Sequence, residues 1–123
     1  MTDQKLTSLT DDELVNSFES WAKSHGKAVI NGDVPAANRS YWQLDAVDKE
    51  LRARGDQARA RLLRLLDHPE LPVRYYAANW LLALDPARAR AIIEDVKAGP
   101  FVSLALDAGM TLRALDEGTF KPS

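Results

Sequence analysis

Proton transfer near neutral pH is a task for histidine, and this chain of 123 residues carries two, His25 and His68. His25 follows Trp21 by one helical turn on the apolar side of a periodic segment, where an imidazole is ordinarily buried and hydrogen-bonded. His68 lies in the run Asp67-His68-Pro69-Glu70, with two carboxylates beside one imidazole. That spacing matches no established metal site, and no second histidine stands near it in sequence. Cysteine is absent, which excludes thiol nucleophiles, disulfides and thiolate zinc sites. Absent too are the Gly-x-Ser-x-Gly, Gly-x-x-x-x-Gly-Lys and Gly-x-Gly-x-x-Gly turns that expose a nucleophilic serine or cradle a phosphate. These residues point away from catalysis, and no metal or cofactor is expected.

Charge offers a second kind of chemistry. Lys49, Arg52, Arg54, Arg59, Arg61 and Arg64 form a basic cluster suited to a polyanion, which makes a nucleic-acid-binding module the alternative reading. Glu50 and Asp56 interrupt that cluster, and sixteen Lys and Arg against eighteen Asp and Glu leave a formal charge of −2 with no overall positive field. Nucleic acid is therefore not the expected partner. An enzyme with an unrecognised site ranks third.

Positioning falls to helices. Thr10-Asp11-Asp12-Glu13 has the spacing of a capping box, after which Leu14, Phe18, Trp21, Ala22 and Val29 follow one face. Asn31-Gly32 closes this helix, with Gly26 an earlier place to end or bend it. Asp33 caps a second helix through Tyr41, Leu44, Val47 and Leu51, which Gly55 ends. A third carries Ala58, Leu62, Leu65 and Leu66 and stops at Asp67-His68-Pro69. The fourth begins near Pro72 and sets Val73, Tyr76, Ala77, Trp80, Leu81 and Leu84 in unbroken helical register. Asp85-Pro86 opens a fifth, with Ala89, Ile92, Ile93 and Val96 inward, and a sixth runs from about Phe101 to Asp116. Gly118 and Pro122 leave residues 118–123 as a frayed tail. No segment alternates with the period of a strand, so no sheet is expected. Apolar runs stay short of the roughly 18 residues a membrane span needs. The opening Met-Thr-Asp-Gln-Lys lacks the basic-then-apolar pattern of an export signal, so the cytoplasm is the expected compartment.

Apolar residues at 46% and charged residues at 28% describe a globular chain whose length suits a single domain. Shifting the sequence by 31 positions lays Ala58-Arg59-Ala60 on Ala89-Arg90-Ala91 and Leu81-Leu82-Ala83-Leu84 on Leu112-Arg113-Ala114-Leu115. Val73 then falls on Leu104 and Ala77 on Ala108, so each unit is one helical hairpin. The stretch from Leu62 to Leu81, with its Asp67 turn, Val73-Arg74 pair and Ala77-Ala78 pair, resembles a HEAT-like repeat. The whole chain is also similar to a small uncharacterised bacterial family with this helical plan. The resemblance implies an all-α fold, an α-α superhelix of about six helices. A helix pair over 10–55 comes first, then two HEAT-like hairpins over 56–84 and 85–117.

What such modules generally do is bind, and small ones occur among immunity proteins. The resemblance also implies a structural use for Arg74, tied to the turn aspartate Asp67, with ligand contact its secondary role. On the other side of the fourth helix, Tyr75, Asn79 and Leu82 share a face that core packing does not require. The 31-residue shift puts Leu106, Met110 and Arg113 on the matching face of the sixth helix, so these residues form one candidate patch. The alternative is that Tyr75 and Leu82 pack against the first two helices. The expected function is a non-catalytic protein-binding module, an adaptor or immunity protein whose partner is unknown. Self-association through uncovered repeat ends is a second expectation.

Overall fold

Local chemistry sets where each helix begins and ends. In a computed structural model describing residues 5–123, the Thr10 hydroxyl accepts from the Glu13 amide at 3.1 Å while the Glu13 carboxylate accepts from the Thr10 amide at 2.9 Å. This capping box starts α1, Asp11–Asn31, after a short 3₁₀ turn over Leu6–Ser8. Gly32 takes the left-handed conformation, φ 71°, that lets the chain reverse, and Asp33 accepts from the Ala36 amide to start α2, Val34–Ala53. Then come α3, Asp56–Ala60, a 3₁₀ segment over Arg61–Asp67, and α4, Leu71–Trp80. Two further helices, α5, Pro86–Lys97, and α6, Val102–Glu117, complete the fold. Among the described residues there is no strand, and no helix is long and apolar enough to cross a membrane. The reading of Met1 to Gln4 lies outside the described residues.

The core is organised around α4. Val73, Tyr75, Ala77 and Ala78 are fully buried, and α4 packs on α1, on α5 and on the 3₁₀ segment. Leu14, Val15 and Phe18 of α1, Leu44, Val47 and Leu51 of α2, and Ile93 and Leu104 of the last two helices fill the same core. Some residues related by the 31-residue shift share their burial and others, such as Tyr75 and Leu106, do not. Val73 and Leu104 are both buried, as are Ala77 and Ala108.

Several sequence expectations are corrected. Gly26 does not end α1. It lies in mid-helix, where a β-carbon would come within 2.5 Å of Pro72 Cβ, so it is the point of close approach between α1 and the start of α4. The third helix tightens after Ala60 into 3₁₀ geometry, which stacks Leu62 directly under Leu65. The fourth helix stops at Trp80 instead of Leu84, because the Arg59 guanidinium takes the Trp80 carbonyl at 2.9 Å. The tail is docked, not frayed. The Thr119 and Phe120 amides donate to the Ala114 carbonyl, and the Arg52 guanidinium donates to the carbonyl and hydroxyl of Ser123.

Candidate binding cleft

The expected patch on the second helices does not survive as one surface. Tyr75 is 0% and Leu82 4% exposed, because α4 is enclosed by its neighbours. On α6, by contrast, Leu106 is 66% and Met110 67% exposed, and Arg113 points outward with its guanidinium on Glu117. Asn79 is half-buried and donates to the Tyr75 carbonyl one turn back. Arg74 does not reach Asp67. Its guanidinium donates to the carbonyls of His68 and Pro69 at 2.7 and 3.0 Å, closing its own turn, and Asp67 receives Arg88 instead.

The basic cluster is matched by carboxylates. Lys49 pairs with Asp45, Arg54 with Asp11 and Glu50, Arg61 with Asp11 and Asp12, and Arg64 with Asp12. Arg59, 7% exposed, and Arg52 share the carboxylate of Asp48, which is 1% exposed. A set of cations that are paired, and in Arg59 buried, offers little free charge to a phosphate backbone. His68 is occupied as well: its Nδ1 accepts from the Glu70 amide, so Nε2 carries the proton and donates to Glu19 at 2.8 Å. That hydrogen bond is the main reason the Glu19 carboxyl is held below its usual range.

What the fold does bring together is a cleft of about 390 Å³ between α2 and α6, above α4. Its floor is His25 of α1 with Tyr76, Asn79 and Trp80 of α4. Tyr41 and Arg52 of α2 stand on one side, Asp107 and Thr111 of α6 on the other, and residues 120–123 close one end. The floor is aromatic and continuous. His25 and Tyr76 rings lie 4.5 Å apart edge to face, Tyr41 and Trp80 lie 5.3 Å apart, and Phe18 backs Trp80 from the core at 5.8 Å.

Polar groups in the cleft have defined states. The Ser40 hydroxyl donates its single proton to the Ala36 or Ala37 carbonyl, so His25 donates Nδ1–H to Ser40 Oγ at 2.8 Å and keeps its lone pair on Nε2. Burial lowers the His25 pKa, opposed in part by the Ala37 carbonyl and the Asp107 charge, and holds the ring neutral at pH 7. Tyr75 donates its hydroxyl from the core to Asp107 Oδ2 at 2.5 Å. Burial raises both tyrosine hydroxyls, Tyr75 and Tyr76, well above the ordinary phenol range, so neither serves as a base. Among the described residues no three His, Asp or Glu side chains are placed to hold a metal ion.

Of the cleft residues, Asn79, Arg52 and His25 stand out in the sequence as candidates, whereas Tyr41, Trp80 and Asp107 do not, and the fold brings them onto the same lining. The aromatic bias at Tyr41-Trp42, Tyr75-Tyr76 and Trp80 was the available signal.

These elements define an all-helical fold that is also found in a known crystal structure. That structure, of the protein RPA1889 from Rhodopseudomonas palustris CGA009, is similar to the chain with a TM-score of 0.87 and 33% identity, covering 98% of this chain and 100% of that one. The chain belongs to the family described as domain of unknown function (DUF2019), whose model matches residues 12–116. No curated protein matches the chain.

Proposed function

We propose that this chain is a non-catalytic protein-binding module, a HEAT-like adaptor, and that its cleft receives an extended segment of a partner protein. One observation carries the reading: the cleft already holds peptide. Residues 120–123 sit at its end, with Phe120 and Pro122 on the lining and a guanidinium of α2 donating to the main-chain oxygen of Ser123, contacts of the kind a partner segment would make. The volume, and a lining that sets the rings of Tyr41, Tyr76, Trp80 and Phe120 among polar side chains, suit recognition of a peptide segment. Leu106, Met110 and Arg113 widen the contact surface beyond the α6 rim, and an immunity role would be one instance of such binding. The paired state of the basic cluster speaks against the nucleic-acid alternative.

The test is selection of a displayed random-peptide library on the immobilised full-length chain. Selected peptides should be rich in Phe and Pro and should bind Tyr41→Ala at least about tenfold more weakly, a loss of about 1.4 kcal/mol. Tyr41 lies 42% exposed at the rim, so the variant should keep its helical circular dichroism. Peptides that bind this variant unchanged would put the contact surface elsewhere and overturn the reading.

A further inference from the structure

We infer that the cleft is built to take the ammonium group of a lysine side chain of the partner segment, between the free carboxylate oxygen of Asp107 and the aromatic floor. The inference rests on the peptide reading above and adds the chemistry of one subsite.

Among the described residues, Asp11, Asp12, Asp48, Asp67 and Asp116 are each answered by a cation from another element. Asp107 is different. It lies exposed on the lining of the cleft, and among the described residues it makes no ion pair, so water alone answers its charge. Its Oδ2 is taken by the Tyr75 hydroxyl, while Oδ1 has no protein partner among those residues. Two cations share the cavity and leave it unanswered. Arg52 is committed to Asp48 and Ser123, and Lys121, on the resident segment, stays beyond ion-pair distance.

Three classes of occupant can be weighed. An anion would meet the carboxylate of Asp107, which repels it. A neutral apolar group would strip water from Oδ1 and give it no donor in return. A cation gains most, since the carboxylate accepts a charge-assisted hydrogen bond from it and the rings of Tyr41 and Trp80, on the same lining, can pack against the alkyl stem that carries it. Between the two cationic side chains, the geometry favours lysine. Arginine's fork is best answered by both carboxylate oxygens, and Tyr75 already holds one of them, whereas a single free oxygen suits a point donor.

The experiment titrates the full-length, ¹⁵N-labelled chain with the Nα-acetyl N-methylamides of lysine, norleucine and arginine, following the Trp80 indole and Asp107 amide signals by NMR. The lysine derivative should bind at least about tenfold more tightly than norleucine. Asp107→Asn, whose side-chain carbonyl can still accept from Tyr75, should erase that gap, and Lys121→Gln should tighten lysine binding by removing the competing charge. Norleucine binding as well as lysine, or arginine binding better, overturns the lysine assignment. The peptide reading falls separately, through unchanged binding of library peptides to Tyr41→Ala, so the two failures are told apart.

Discussion

His25 shows how one side chain can set a pH response. Its ring is buried against Tyr76 and tied to Ser40, and burial lowers its pKa. In the unfolded chain the same imidazole takes a proton below about pH 6.5. Below that pH the unfolded state therefore binds more protons than the folded one, so this contribution to stability is complete above about 6.5 and is lost as pH falls toward and through the lowered folded pKa. Urea unfolding of the wild type should show stability dropping between about pH 7.5 and 5.5. His25→Gln, less stable at the higher pH, should drop less over the same interval. Equal pH slopes in the two proteins would show that His25 is not the titrating group.

Between elements, the tightest spacing is the crossing of α1 and α4 at Gly26. An alanine there would gain up to about 1 kcal/mol of helix propensity over glycine. It would also drive a β-carbon to 2.5 Å from Pro72, whose ring is fixed at the start of α4 and cannot rotate away. Overpacking of this kind costs about 1–3 kcal/mol and should win, so Gly26→Ala should lower the melting temperature by several degrees. A rise would mean that α1 and α4 separate without cost. The sequence carried the helix starts plainly, because the capping box at Thr10, Asp33 before Pro35 and Asp85 before Pro86 act within a turn of themselves. It did not carry the stop at Trp80, which depends on a guanidinium 21 residues away. Nor did it carry the burial of Tyr75: helical register put it on an outer face, but the side chain is enclosed in the core and its hydroxyl reaches Asp107 of α6. The cleft was hidden for the same reason, since its residues come from α1, α2, α4, α6 and the tail and share no local spacing.

For the molecule as a whole, the Asp48 carboxylate is the joint. Buried in α2, it accepts Arg59 of α3 at 3.0 Å and Arg52 at 2.8 Å; Arg59 passes on to the end of α4 and Arg52 to the tail. Asp48→Ala would leave Arg59 buried without its counter-charge and should cost about 3–5 kcal/mol. Arg52→Ala removes only the half-exposed arm and should cost less than about 1 kcal/mol. Denaturant titration of both variants checks the ranking, and similar losses would remove Asp48 from the centre of this network. One more property follows from the placing of Trp80. Its indole packs T-shaped with Phe18 while lining the cleft beside Tyr41, so the emission of this tryptophan should shift when an occupant displaces water from the cavity. With Trp21 and Trp42 replaced by phenylalanine, the protein would carry an intrinsic optical gauge of occupancy, readable without dye or label.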